Sequence, residues 1–78
     1  MEKLQALFTM HELLVMLADS TIKNHIVVEP DPNTSTPTEK HIIKIKHELA
    51  DDIIEKIEPL LEKRNLKIKK TEDSFMIH

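Results

Sequence analysis

From residue 40 to its end, the chain changes hydrophobic period twice, and few folds accept that order. Residues 40–46 (KHIIKIK) alternate in polarity, residues 48–64 repeat apolar positions at helical spacing, and residues 66–78 (LKIKKTEDSFMIH) return to alternation around a polar turn. Period two marks a half-buried strand, and a period near 3.6 marks an amphipathic helix. The segment therefore reads as strand, helix and hairpin.

Each element sorts its own side chains. In the strand, Ile43 and Ile45 share one face, while Lys40, Ile42, Lys44 and Lys46 share the other. In the helix, Leu49, Ile53, Ile57 and Leu60 form one row, with Ala50, Ile54 and Leu61 beside it. Glu48, Asp51 and Asp52 at its start and Lys63 and Arg64 at its end complement the helix dipole. Pro59 removes one backbone donor and predicts a kink or a new last turn, and Asn65 suits a left-handed cap. With Glu72 and Asp73 at the hairpin tip, Thr71 faces Ser74, Lys70 faces Phe75 and Ile68 faces Ile77. That register puts Leu66, Ile68, Phe75 and Ile77 on one face, and Lys67, Lys69, Met76 and His78 on the other. Glu-Asp makes a poor two-residue turn, so a four-residue loop is expected.

Upstream, residues 2–19 are helical in propensity and allow two starts. Thr9 and Glu12 fit a capping box, with Phe8 and Leu13 as its hydrophobic staple, which would begin the helix near Met10. The alternative is one continuous helix. On a wheel of 100° per residue, Leu4, Leu7, Phe8, Leu14, Val15 and Ala18 fall on one side around His11, and Ala6, Met10, Leu13 and Leu17 fall beside them. Gln5, Thr9, Glu12 and Asp19 keep only a narrow polar strip. One core occupies about 100° of a surface helix, so a second surface is expected to cover the rest. Leu7, Met10, Leu13, Leu14 and Leu17 are the predicted partner interface. After a connector at residues 19–24, residues 25–29 read as a strand by their β-branched content. Residues 30–38 hold three prolines and no apolar anchor, and are expected to form a mobile loop between two antiparallel strands.

The order is α-β-β-α-β-β in a single small domain spanning residues 1–78. If the helix after the second strand crosses the sheet and the fourth strand inserts between the second and third, all neighbours are antiparallel. The expectation is an α+β fold with strand order 1-2-4-3 and both helices on one face.

Composition narrows the function classes. A chain of 78 residues buries only about 60% of its unfolded surface. Domains below about 80 residues usually lean on disulfides, a metal or oligomerisation. With no cysteine, disulfides and thiolate metal sites are excluded, a reducing cytoplasm suits the chain, and oligomerisation is the expected support. The longest apolar run, residues 13–18, is far short of the ~20 residues of a membrane span, and no signal-peptide core follows Met1. Without glycine there is no phosphate-cradling loop and no dinucleotide fingerprint. Two phenylalanines, with no Tyr or Trp, leave almost nothing for a base to stack on.

The chemistry-bearing residues are scattered. His11, His25, His41, His47 and His78 form no H-x-H or H-x-x-x-H pair, and only His47 with Asp51 sits one helical turn apart. A catalytic zinc needs a third ligand and an open position, so neither a metal nor another cofactor is expected. His11, inside the apolar arc, is expected to be partly buried, as a hydrogen-bonded rim residue rather than a pH-sensitive switch. Ser20, Ser35 and Ser74 have no His/acid framework, and Asp51, Asp52, Glu55, Glu58 and Glu62 read as a solvated helix face. Neither arrangement points to an enzyme.

Charge placement is more telling than the net charge of -3. Lys40, Lys44, Lys46, Lys67 and Lys69 should share the sheet face turned from the helices, a platform for phosphates or an acidic partner. Lysines on exposed strands also block aggregation, which is the plainer account. No motif matches a known family residue by residue. The expectation is a non-enzymatic, cytoplasmic interaction or regulatory module that forms a homodimer or homo-oligomer, or binds a protein partner, through its first helix. A nucleic-acid-binding protein using the lysine face is the alternative.

Overall fold

A computed structural model describes residues 1–31 and 40–78 of the chain. Two helices pack on one face of a four-stranded antiparallel sheet, the expected α+β class. The elements are α1 (Lys3–Met16), a 3-10 turn (Thr21–His25), β1 (Ile26–Pro30), β2 (His41–Ile45), α2 (Asp51–Lys63), β3 (Ile68–Lys70) and β4 (Phe75–Ile77). Strand order is β1-β2-β4-β3, as the crossover argument required. The loop expected at residues 30–38 lies outside the described residues except at its start. There Pro30 ends β1 and the Asp31 amide donates to the Lys40 carbonyl at 3.0 Å.

Register follows side-chain alternation. Ile43 pairs with Val28 and Ile77, and Ile45 pairs with Ile26 and Phe75. Ile68 opposes Ile77 and Lys70 opposes Phe75 across the last hairpin, with a four-residue connection, residues 71–74, between the strands. The Thr71 amide and hydroxyl both donate to the Ser74 carbonyl, at 2.8 and 3.0 Å, and hold that turn closed. Ile43, Ile45 and Ile77 are fully buried against Leu13 of α1, Leu17 at its C-cap, and Ile57, Leu60 and Leu61 of α2. Each such side chain stabilises the fold by roughly 1.5–3 kcal/mol relative to exposure.

Helix α2 ends by a recognisable device. Asn65 has φ 57° in the left-handed region, the Leu66 amide donates to the Leu61 carbonyl at 2.7 Å, and the Asn65 amide donates to Glu62 at 3.1 Å. This pair of bonds is a Schellman motif, and its usual apolar contact is supplied by Leu61 and Leu66, both in the core. Pro59 sits inside the helix on its exposed side, and the helix runs on to Lys63. The connector after α1 spans residues 17–25, longer than the expected 19–24 because α1 ends at Met16 and the strand begins one residue later. The Ser20 hydroxyl accepts from the Ile22 amide at 3.2 Å, and the 3-10 turn takes His25 out of the strand.

Edge protection is built into the strands. Bonds from the Lys46 amide to the His25 carbonyl and from Asp31 to Lys40 make residues 25, 27, 29 and 31 the hydrogen-bonded positions toward β2. Ile26, Val28 and Pro30 therefore direct their backbone outward, and Pro30 has no amide to offer. The outer edge of β3 is a run of lysines, Lys67, Lys69 and Lys70 around Ile68.

The left-handed cap is directly testable. Asn65→Gly should leave the fold intact and raise the urea midpoint, by up to about 1 kcal/mol of stability, because glycine has no Cβ to strain at positive φ. Asn65→Val should lower stability by about 1 kcal/mol or more.

Candidate functional site

The N-terminal helix is the element whose surfaces carry the most information. It is continuous from Lys3, so the start near Met10 is not used. The Thr9 hydroxyl donates back to the Gln5 carbonyl at 2.8 Å instead of capping a new helix. That bond satisfies the hydroxyl inside its own helix, and Thr9 is fully buried. The expected polar strip is thus broken: Thr9 joins Ala6, Leu13 and Leu17 as the row that faces the sheet, with the helix lying across β1 and β2. Two small residues in that row let the helix backbone approach the strands.

Two long-range contacts hold this rotation. The Met1 carbonyl accepts from the His41 amide at 2.6 Å and the Met1 amino group donates to the His41 carbonyl at 3.2 Å, which pins the start of α1 beside β2. Near the other end, Arg64 at the close of α2 donates through Nη2 to Glu12 Oε1. Both side chains are partly exposed, so the ion pair orients the helix more than it stabilises it.

The consequence is an apolar stripe on the opposite side. Leu4 (66% exposed), Phe8 (63%), Val15 (64%) and Leu7 (37%) are the exposed large hydrophobic residues among those described, and all belong to α1. His11 lies among them and is exposed. The expectation that it is partly buried is corrected by the rotation of the helix. Of the predicted interface residues, Leu13 and Leu17 belong to the core, Met10 and Leu14 are half-buried on its rim, and Leu7 stands at the edge of the stripe. Leu4, Phe8 and Val15 were missing from that set. The wheel located the apolar arc but held no cue to which of its two sides met the sheet.

The second surface is the sheet face turned from the helices. It carries Lys44 half-buried and Lys40, Lys46, Lys67 and Lys69 exposed. Lys44, Met76 and Lys69 stand in one cross-strand row. An open depression of about 580 Å³ is lined by Ile42 and Met76, by Lys44 and Lys69, and by Glu29, Glu72 and Asp73. Lys46 pairs with Glu29 at 3.4 Å, so the surface is basic with acids at its border.

The histidines do not converge. The His25 and His47 rings lie 5.1 Å apart and tilted, with His47 Nδ1 2.6 Å from the Glu48 carbonyl. His41 is buried on the helix side, and His78 is exposed. Among the described residues, no three His, Asp or Glu side chains are grouped to hold a metal ion, and no helix is long and apolar enough to cross a membrane. Compared with known proteins, the chain matches no family model, no curated protein and no solved structure. Either surface must be read from its own chemistry.

The rotation of α1 predicts a sharp contrast between neighbours on one helix. Leu13→Ala should cost about 2–5 kcal/mol in denaturant unfolding. Phe8→Ala, two thirds of the way out to solvent, should change the stability of the monomer by no more than about 0.5 kcal/mol.

Proposed function

We propose that this protein is a non-enzymatic interaction module that associates through the exposed stripe of α1. One observation carries the reading: the exposed large hydrophobic residues among those described are all gathered on one face of one helix. Scattered apolar residues on a surface need no explanation, whereas a contiguous stripe marks a docking face. Pairing through sheet edges is opposed by Pro30 on one side and by the lysines of β3 on the other.

Magnitudes limit what the stripe achieves alone. Covering Leu4, Phe8 and Val15 recovers roughly 1–2 kcal/mol each. Association costs an estimated 4–15 kcal/mol in lost freedom. A helix of 14 residues is also only about 21 Å long. A stripe of this size supports weak, reversible self-association, or it is the anchor of a larger surface on a protein partner. Regulatory association suits that range better than a permanent assembly.

The test places a photo-crosslinking residue at Phe8 or Val15, with Glu58 on the outer face of α2 as the control, in cells that make the protein. The reading predicts one discrete adduct from both α1 positions, either with a second copy or with one partner, and none from Glu58. Equal, diffuse labelling from all three positions would contradict it. Leu4→Ser with Phe8→Ser should abolish the adduct formed from Val15 while circular dichroism and thermal unfolding stay unchanged.

A further inference from the structure

The stripe on α1 leaves the charged surfaces unexplained, and these are arranged in a complementary way. On α2, Asp51, Glu55, Glu58 and Glu62 recur at intervals of four, three and four residues, and all are exposed. At 100° per residue they form one narrow line, about 16 Å long. Lys56 and Lys63 lie together along one side of that line. The sheet face on the far side of the molecule has the inverse pattern. Lys67 and Lys69 are about 7 Å apart along β3, and Lys44 is two strands and roughly 10 Å from Lys69. Glu72 and Asp73 at the hairpin tip line the same depression as Lys44 and Lys69, while Lys67 lies toward the other end of the hairpin, opposite His78.

We infer that the lysine face docks the acidic face of α2 from a second copy of this chain. A stripe of acids, with Lys56 and Lys63 beyond Asp52 on one side, meets a patch of lysines bordered by acids, so the two surfaces are opposite in sign along their main rows. A simple polyanion satisfies only the lysines and is opposed by Glu29, Glu72 and Asp73 at the border of the same depression. Because the two patches lie on opposite outer faces of the two layers, one molecule cannot satisfy its own. The contact is head-to-tail and leaves a free patch at each end, so each dimer offers sites for further copies. It uses different residues from the stripe on α1.

The sign of the salt dependence distinguishes this contact from other associations. Copies with a net charge of -3 repel one another, and lowering the salt strengthens that repulsion. Apolar association through α1 does not strengthen as salt is removed. Matched charge patches do strengthen, since the screening length grows from about 6 Å to about 20 Å as salt falls from about 300 mM to about 20 mM. The experiment is sedimentation equilibrium at pH 7 in sodium chloride across that range, on the full chain carrying Leu4→Ser with Phe8→Ser to disable the α1 stripe. Head-to-tail docking predicts an association constant that rises by roughly tenfold or more at the low-salt end.

Two charge-swap variants identify the surfaces. Lys67→Glu with Lys69→Glu, and Glu55→Lys with Glu58→Lys, alter exposed side chains only and should each abolish the low-salt association. An equimolar mixture of the two should restore it, because each supplies the partner that the other lost. Association that is unchanged or weaker at low salt overturns the inference without the need for any charge-swap variant. A mixture that fails to associate overturns it as well. Low-salt association that survives both swaps would move the contact to other residues and refute this one.

Discussion

The rotation of α1 about its own axis decides which surfaces this protein uses for folding and which it offers to others. The helix is apolar over most of its circumference, and only one side can meet the sheet. Ala6, Thr9, Leu13 and Leu17 take that side, because two small side chains allow close approach and two leucines fill the space above Ile43 and Ile45. Thr9 is tolerable there only because its hydroxyl has the Gln5 carbonyl within its own helix. Everything placed about 180° away is left to solvent as a consequence. The exposed stripe is the remainder of a packing choice, and its composition suits association better than solvation.

The sheet shows the same economy in charge. Antiparallel strands with one face under helices give a clean division, apolar inward and polar outward. Here the charged residues of the outward sheet face are mostly lysines, set around a buried Ile42 and a half-buried Met76, while the outward face of α2 is largely acid. The small net charge conceals a molecule with two poles. Lysine on the β3 edge and proline at the outward position of β1 oppose pairing through strands. Among the described residues, what is left for contact is one apolar helix face and two charged faces of opposite sign.

How much of this was legible in the sequence depends on how many apolar faces an element has. α2 and the last hairpin each have one dominant face, and β2 alternates clearly at residues 43–46. Period therefore gave the register of Ile68 with Ile77 and the burial of Ile43 and Ile45, but not the burial of Ile42 among the outward lysines. Strand order was legible because a helical crossover and an inserted fourth strand leave few topologies. Asn65 was legible because helix ends favour a left-handed residue, and only Asn was on hand in a chain without glycine. α1 was not legible in the same way. Its two apolar sides are equivalent on a wheel, and the contacts that break the tie are long-range. Glu12 meets Arg64 across 52 residues and Met1 meets His41 across 40. Thr9 misled for a local reason: one hydroxyl can cap a new helix or bond back within an existing one, and four residues of sequence do not distinguish these.

The rotation of α1 is therefore the claim on which both the core and the exposed stripe depend, and the absence of native cysteine makes it directly measurable. Single cysteines at Phe8, Val15 and Leu13 can be labelled with a thiol reagent under native conditions, at dilution that disfavours association. Cysteines at positions 8 and 15 should react nearly as fast as in the unfolded chain. A cysteine at position 13 should be protected until global unfolding, its labelling rate following denaturant as the unfolding equilibrium does. Fast labelling at position 13 with protection at positions 8 and 15 would mean that the helix packs through its other side, and would contradict the account.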